Sequence, residues 1–333
     1  MKRLAIFAGY DKDNIIDDYV LFYLKELNKL ADIIYVADCE MPESELNKVK
    51  DYTIKAIGER HGEYDFGSYK RGYIYAKENN ILENYDYLIL CNDSVYSPFF
   101  NFKEIVENME SKNTDVWGIF KYLKDEIYEE HLQSYFISMR KNVFLAQWYK
   151  DFIFSIKKQI EKRAIVDMYE VGMSIAFKNN NCSFVSFIDS SIVNTKYTLL
   201  NNRAIFYPLE CINNNFPFLK ISILSEPIFN LIDIKKMYKI FHIIKEKYPV
   251  EIIVKHLNRV VNKDKIEYLF TRFNEFCFYI INKKFINIFS EYLIDKRYRI
   301  ILKFFNIIKI TIDIPKKISC IDYRYKDFNF LID

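Results

Sequence analysis

Short apolar runs alternate with segments of helical period along the first 190 residues, and this alternation limits the fold more than any other feature of the sequence. The apolar runs predict buried strands, and they lie at residues 4–9, 33–37, 53–57, 87–91, 116–122, 135–139 and 183–188. The segments of helical period lie at residues 14–30, 68–80, 102–111, 143–163 and 168–179. Strands that alternate with helices predict an α/β fold with a mostly parallel sheet flanked by helices.

Glycine is rare in this chain and concentrated in one segment. Only seven glycines occur in 333 residues, and four of them lie between Gly58 and Gly72. Glycine is favoured where the backbone needs a positive φ or must approach a ligand closely. The segment therefore predicts a tight loop, followed by a helix whose N-terminus is suited to phosphate or hydroxyl groups.

The apolar run at residues 87–91 stops abruptly on Asn92, Asp93 and Ser94. Ligands of open α/β sheets bind outside the carboxyl ends of the strands, where Asp11 and Asp38 are also expected. Asp93 is the strongest candidate, because a carboxylate can hold a divalent cation that neutralises a departing diphosphate. Each of these aspartates could instead be a turn or cap residue.

Several common functions are disfavoured by the sequence. The first strand-to-helix turn, residues 8–14, has neither the Gly-x-Gly-x-x-Gly pattern of dinucleotide sites nor a Walker lysine. The six cysteines are scattered singly, which disfavours zinc and disulfides and is typical of a reducing cytosol. The apolar runs are too short for a membrane span, and no basic and aromatic nucleic-acid motif occurs. We therefore expect a cytoplasmic protein that binds no nucleic acid.

An ordered set of short motifs resembles the rhamnan synthesis protein F family, over roughly residues 3 to 260. The motifs are Tyr64-Asp-Phe-Gly-Ser-Tyr-Lys-Arg-Gly72, Leu90-Cys-Asn-Asp-Ser-Val-Tyr96 with Pro98-Phe99, His131-Leu-Gln-Ser-Tyr-Phe136, Arg140-Lys-Asn-Val-Phe144, Tyr169-Glu-Val-Gly172, Phe216-Pro-Phe-Leu-Lys220, Tyr248-Pro-Val250 and His256-Leu-Asn-Arg259. The resemblance implies a glycosyltransferase with a GT-A-like, Rossmann-type sheet that acts in bacterial surface polysaccharide assembly. It implies dTDP-L-rhamnose as the typical sugar donor.

The residue pattern and the resemblance together suggest roles for individual side chains. We predict donor binding by Asp11, Asp38, Gly62, Asp65, Gly67, Ser68, Lys70, Arg71, Asn92 and Ser94. We predict contacts to the acceptor or the diphosphate by His131 and Gln133, and binding of Mg²⁺ or Mn²⁺ by Asp93. Lys70 and Arg71 could equally belong to an exposed helix face.

A general base is expected on a helix after the sheet, in a position similar to that of inverting GT-A enzymes. Glu170, in Tyr169-Glu-Val-Gly172, is the better candidate, and Asp167 is the alternative. A carboxylate suits this role because formation of the new bond makes the acceptor hydroxyl acidic. Glu170 could instead only cap the helix or pair with a neighbour on it.

The sequence departs from the family pattern at the cation site. A full Asp-x-Asp is absent, because Cys91 and Asn92 stand where the first carboxylate would be. This leaves open a site that depends little or not at all on metal, in which Lys70, Arg71 or His131 assists the departing diphosphate.

The last third of the chain differs in charge and in pattern. We place a boundary near Asn201, between a catalytic domain at residues 1–200 and a mostly helical region on the acceptor side at residues 201–333. Residues 230–320 hold nineteen Lys or Arg against nine Asp or Glu, although the whole chain has a net charge of only +3. Polar residues recur at spacings of three and four between Lys296 and Lys309, which predicts a basic amphipathic helix. The helix could be an ordinary packed one, or it could contact the anionic inner face of the bacterial plasma membrane, where a lipid-linked glycan acceptor is held.

Three functions are compatible with these features. The first is transfer of rhamnose or another deoxyhexose from a nucleoside diphosphate sugar to a surface glycan, and it is the one we expect. The second is transfer of a phosphorus-containing substituent to a glycan. The third is a catalytically silent subunit that binds glycan.

Overall fold

The computed structural model describes residues 1–125, 128–192, 203–225, 234–261, 286–293, 297–304 and 308–315. The chain divides into two compact units, Met1–Val261 and Asn262–Asp333. The boundary expected near Asn201 therefore lies inside the first unit.

The first unit alternates strands and helices along most of its length. Its described strands are β1 (Arg3–Gly9), β2 (Asp32–Ala37), β3 (Lys55–Gly58), β4 (Tyr87–Asn92), β5 (Val95–Tyr96), β6 (Val116–Tyr122), β7 (His131–Leu132), β8 (Phe136–Arg140), β9 (Phe184–Asp189) and β10 (Leu219–Lys220). Its described α-helices are α1 (Asp18–Asn28), α2 (Glu43–Leu46), α3 (Tyr64–Glu78), α4 (Phe102–Ser111), α5 (Lys141–Phe144), α6 (Gln147–Ser155), α7 (Lys162–Ile165), α8 (Gly172–Asn179), α9 (Arg203–Phe206), α10 (Pro208–Asn213), α11 (Ser222–Ser225), α12 (Ile234–Ile244) and α13 (Val250–Val260).

Eight of these strands form one sheet, in the order β3-β2-β1-β4-β8-β6-β7 with β9 beside β6. Strand β1 is parallel to β2 and β4, β2 is parallel to β3, and β6 is parallel to β9. Strand β8 runs antiparallel between β4 and β6, and β7 is antiparallel to β6. The predicted α/β fold with a mostly parallel sheet is confirmed.

The centre of the sheet is buried because its strands are apolar on both faces. All six residues of β4 are buried, and six of the seven residues of β1 are buried. Helix α3 packs directly on β1, and a Cβ atom on Gly72 would overlap the Cγ2 atom of Ile6. The glycine is thus needed for the close approach of helix and strand, because any larger side chain would push them apart.

The helix α13 is joined to the loop after β1 by one arginine. The Arg259 guanidinium donates to Asp17 Oδ1 at 3.2 Å, to Asp17 Oδ2 at 2.5 Å and to Asp13 Oδ2 at 2.9 Å, and it also binds both carboxylate oxygens of Asp11. The side chains of Asp11 and Asp17 are each only 12% exposed. Hydrogen bonds and charge from these carboxylates raise the pKa of Arg259, in spite of its partial burial.

The second unit contains a three-stranded antiparallel sheet among its described residues. Its strands are β11 (Ile286–Leu293), β12 (Arg297–Phe304) and β13 (Ile308–Pro315). The amphipathic helix predicted between Lys296 and Lys309 is therefore wrong for the described part of that segment, while Lys296 and Asn306 lie outside the described residues. The isoleucines at 308, 310, 312 and 314 alternate with other residues, which is the period of a strand and favours β-structure through their branched side chains.

We predict that Arg259→Met destabilises the protein by about 2–3 kcal/mol, because three carboxylates lose a partly buried partner. Lys255→Met is the matched control, since Lys255 lies one turn earlier on α13 and its 71% exposed side chain pairs with Asp18 on the surface. Urea unfolding of both variants measures the difference. Equal stability of the two variants would show that the Arg259 contacts contribute nothing beyond a surface ion pair.

Candidate active site

A cavity of about 290 Å³ opens at the carboxyl end of β4, between the start of α3 and the segment that follows α7. Its lining mixes aromatic, carboxylate, amide and hydroxyl side chains with one lysine. The lining residues are Tyr64, Asp65, Phe66, Asn92, Ser94, Tyr122, Tyr128, His131, Gln133, Ser134, Ile165, Val166, Glu170 and Lys220. Six of the residues predicted from the sequence, Asp65, Asn92, Ser94, His131, Gln133 and Glu170, thus meet in one cavity.

The start of α3 is fixed by the carboxylate of Asp38. Its Oδ1 atom accepts hydrogen bonds from the backbone N–H groups of His61 at 2.8 Å and Gly62 at 2.7 Å, and Oδ2 accepts from Tyr64 N–H at 3.1 Å. Gly62 has a φ of 70° and Tyr64 has a φ of 56°. A positive φ is costly for a bulky residue, so these hydrogen bonds hold Tyr64 in a strained conformation at the edge of the cavity.

The glycine-rich segment forms a shorter loop than expected. Helix α3 begins at Tyr64 rather than at Ser68, so Gly67 and Ser68 are buried within its first turns. A Cβ atom on Gly67 would overlap the side chains of Glu63 and His61. Ser68 Oγ lies 3.1 Å from His61 Nε2. Gly62, Gly67 and Ser68 therefore shape the loop and do not line the cavity, and Asp38 binds loop amides.

His61 is buried behind this loop in its neutral form. Its Nδ1 atom accepts a hydrogen bond from the Glu63 backbone N–H at 3.1 Å, which leaves the proton on Nε2, facing Ser68. Burial lowers the pKa of His61 to about 4, although the nearby Asp38 carboxylate acts in the opposite direction.

A chain of hydrogen bonds joins the end of β4 to α3. Asn92 Nδ2 donates to Asp65 Oδ2 at 2.6 Å, and Asn92 Oδ1 accepts from Ser94 N–H at 3.1 Å and from Ser94 Oγ at 2.7 Å. These contacts fix the orientation of the Asn92 amide. They present the Asp65 carboxylate and the Ser94 hydroxyl to the cavity, where hydroxyl groups of a ligand could bind.

Asp93 is directed away from the cavity lining. Its Oδ2 atom accepts from Tyr10 N–H at 2.7 Å, and its backbone carbonyl accepts from Tyr19 Oη–H at 3.1 Å. Burial, helped by the charges of Asp65 and Asp11, raises the pKa of Asp93 well above its usual range, and the Tyr10 hydrogen bond opposes this. Among the described residues, no three His, Cys, Asp or Glu side chains are grouped to hold a metal ion.

Lys70 and Arg71 also point away from the cavity. Lys70 Nζ donates to the Ile156 carbonyl at 2.7 Å. Arg71 Nη1 donates to Glu63 Oε2 at 2.7 Å and to the Gly67 carbonyl at 3.1 Å. Likewise Asp11 is engaged by Arg259. The structure thus places these three residues outside the lining, where they join neighbouring elements.

Glu170 lies in a π-helical turn, Val166–Val171, between α7 and α8. Its Oε2 atom accepts from Ser134 N–H at 2.9 Å and also from the Ser134 hydroxyl, while Oε1 lies 3.7 Å from His131 Nε2. Asp167, in the same turn, is exposed and pairs with Arg163 at 3.7 Å. Single π-helical turns are frequent at functional sites, and here the turn directs Glu170 into the cavity and Asp167 outward.

Another part of the cavity lining is formed by aromatic and amide side chains. The rings of Tyr122 and His131 are stacked with centroids 5.1 Å apart, and Tyr128 meets His131 edge-on at 6.0 Å. His131 Nδ1 donates to the Glu129 carbonyl at 2.7 Å. Gln133 is buried, and its Oε1 atom has no hydrogen-bond partner among the described residues. An aromatic face beside an amide is suited to a ring that carries hydroxyl groups.

The comparison with known proteins agrees with these motifs. The model of the family described as rhamnan synthesis protein F matches residues 33–320, which is most of the chain. The chain belongs to the rhamnan synthesis protein F family.

The individual proteins that this chain resembles share only about a quarter of their residues with it over the matched part. The chain is 25% identical over 181 residues to the uncharacterized protein y4gN of Sinorhizobium fredii, a match that covers 53% of this chain and 45% of y4gN. It is 24% identical over 255 residues to the virulence protein VirA of Vibrio anguillarum, covering 68% of this chain and 80% of VirA. Among solved structures, the Mn/GDP form of core-mannan synthase A from Aspergillus fumigatus is similar with a TM-score of 0.33 and 11% identity, over 53% of this chain and 70% of that one.

Eight residues of the lining were not among the predicted site residues: Tyr64, Phe66, Tyr122, Tyr128, Ser134, Ile165, Val166 and Lys220. Ser134 and Lys220 fall inside motifs that carry the family resemblance, so the signal for them was present. Tyr122 and Tyr128 gave no such signal, because aromatic residues are abundant throughout the chain. In the part of the chain that the structure describes, no helix has both the length and the apolar character needed to cross a membrane.

We predict that the contribution of His61 to the stability of the protein decreases as the pH falls from about 6.5 to about 4. In this window the unfolded chain protonates His61 near its ordinary pKa, whereas the folded protein does not, so the unfolded state binds more protons. The loss should be on the order of 2 kcal/mol, because solvent screens part of the shift.

Urea unfolding at pH 7 and pH 4.5 measures this dependence in wild type, in His61→Asn and in His242→Asn, the last a change at an exposed histidine on α12. The pH dependence should weaken in His61→Asn alone. An unchanged slope in that variant would contradict the assignment to His61.

Proposed function

We propose that this protein transfers a sugar from a nucleoside diphosphate sugar to a hydroxyl group of a bacterial surface glycan. The donor proposed is dTDP-L-rhamnose, and the acceptor proposed is a lipid-linked glycan at the inner face of the plasma membrane. Membership of the rhamnan synthesis protein F family supports this assignment. The observation that carries it is the position of Glu170, held by Ser134 inside a cavity that also contains the Asp65-Asn92-Ser94 chain.

The donor is proposed to occupy the side of the cavity at the end of β4. Asp65 and Ser94 can hydrogen-bond hydroxyl groups of a sugar or ribose, and Asn92 keeps both in place. Ligands of open α/β sheets bind at this edge, beyond the carboxyl ends of the strands. Tyr64, held at the mouth of the cavity by Asp38, offers an aromatic face to the same ligand.

The chemistry proposed is a displacement at the anomeric carbon with inversion. The acceptor oxygen forms a bond to C1 of the sugar while the bond from C1 to the diphosphate oxygen breaks, and the diphosphate departs with the electron pair. Glu170 takes the acceptor proton as the new bond forms. Ser134 orients the carboxylate through Oε2, which leaves Oε1 to face the acceptor and His131.

A divalent cation is the usual means of neutralising a departing diphosphate. The described residues do not fit a cation site held by several protein ligands, because no group of three such side chains occurs among them and the Asp93 carboxylate accepts the Tyr10 amide. No step proposed for this protein passes through a cation, and the carboxylate of Asp93 is best explained by its contact with the loop after β1.

We predict that Glu170→Gln lowers the turnover number by roughly two to four powers of ten while donor affinity stays nearly constant, as expected for loss of a general base. The matched control is Asp167→Asn, because Asp167 lies in the same π-helical turn but faces solvent. Product formation from dTDP-L-rhamnose and an acceptor rhamnoside is measured for both. Full activity of Glu170→Gln, or retention of the anomeric configuration in the product, would rule out this mechanism.

We predict that one nucleoside diphosphate, dTDP in the present proposal, raises the Tm of the protein more than its nucleoside does. A ligand that binds only the folded state must raise the Tm, and a hundredfold excess over the Kd adds about 2.7 kcal/mol of stability. A panel of dTDP, UDP, GDP and CDP with their nucleosides provides the comparison. If none of them changes the Tm, the silent glycan-binding alternative is favoured over transfer.

A further inference from the structure

Lys220 is brought to the cavity from a distant part of the sequence by a short antiparallel ladder. Strand β10 pairs with β5, with Leu219 opposite Tyr96 and Lys220 opposite Val95. The Ile221 N–H donates to the Ser94 carbonyl at 3.0 Å, so the ladder continues as far as Ser94. Ser94 is also the last member of the Asp65-Asn92-Ser94 hydrogen-bond chain. Lys220 and Ser94 are thereby fixed on adjoining strands beside one cavity.

The alternation of the strand determines which side chain faces the cavity. Leu219 is buried in the core, and Lys220, its neighbour, lines the cavity because successive residues of a strand point to opposite faces. The Lys220 Nζ atom lies 4.1 Å from the centroid of the buried Tyr135 ring. A cation over an aromatic face is held in place by the ring quadrupole, so the ammonium group has a defined position.

Lys220 brings a positive charge to a lining that also contains carboxylates. No other lysine or arginine of the described residues lines the cavity, and the two cations expected there, Lys70 and Arg71, bind the Ile156 carbonyl and Glu63 instead. Asp65 and Glu170 contribute negative charge to the lining. An anionic ligand could enter such a cavity only if a cation compensates for its charge.

We propose that Lys220 binds the diphosphate of the donor and stabilises it as it departs from the sugar. This inference rests on the proposed function and assigns the neutralisation of the leaving group to a side chain of the protein. The ammonium group donates charge-assisted hydrogen bonds to the phosphate oxygens. Negative charge grows on the diphosphate as its bond to C1 breaks, so the contact strengthens in the transition state.

Calorimetry with dTDP, and ligand-observed NMR with thymidine, test this role in the presence of EDTA. Lys220→Met should weaken dTDP binding roughly 10- to 100-fold and leave thymidine binding unchanged, because only the charge–phosphate contact is lost. Lys220→Arg should restore most of the dTDP affinity. Lys178→Met is the control, since Lys178 also lies over an aromatic ring, that of Phe184 at 5.7 Å, but does not line the cavity.

The possible results separate this inference from the proposed function. Wild-type affinity for dTDP in Lys220→Met would overturn the role of Lys220 and leave the transferase proposal standing. An equal loss of dTDP and thymidine binding would also overturn it, because the lysine would then only shape the site. If the wild-type protein binds none of dTDP, UDP and GDP, the proposed function and the role of Lys220 both fail.

Discussion

The arrangement of the cavity depends on one carboxylate, that of Asp38, which gathers three backbone N–H groups at the start of α3. Without it these partly buried N–H groups would lose their acceptor, and a fully buried donor without a partner costs about 1–3 kcal/mol. The same contacts hold Tyr64 at a positive φ and set the direction in which Asp65 leaves the helix. Asp38, which the sequence predicted to contact the donor, therefore acts indirectly. It fixes the backbone that carries residues of the cavity lining.

The sheet could be predicted from the sequence, whereas the direction of individual side chains could not. Strands such as β1 and β4 are apolar on both faces, and this pattern has few alternative explanations. Lys70 and Arg71 illustrate this: both lie on a helix, as the sequence predicted, but their directions are set by contacts with Ile156 and Glu63, which the local pattern does not reveal. Lys220 falls inside a motif of the family, but its place at the cavity was not predictable, because it is set by pairing with a strand more than a hundred residues earlier.

The π-helical turn explains why two carboxylates of similar appearance have different environments. In an α-helix, residues three apart lie on the same face, so Asp167 and Glu170 would be expected to point in similar directions. The wider turn at Val166–Val171 separates them, with Glu170 beside Ser134 and Asp167 beside Arg163. Helical period alone does not distinguish an α-helical from a π-helical turn, so the sequence justified both candidates. The helix predicted between Lys296 and Lys309 was wrong for a related reason, because polar residues at spacings of three and four can coexist with an alternating apolar pattern.

The ladder between β5 and β10 has a consequence for the synthesis of the protein on the ribosome. All eight strands of the main sheet have been synthesised once Asp189 has left the exit tunnel, whereas β5 still lacks its partner β10. The wall that carries Lys220 is still missing at that point, and Arg259 has not yet reached the loop after β1. Every strand pair of the main sheet can thus form before the cavity has its full lining, and completion of the cavity must follow the emergence of β10.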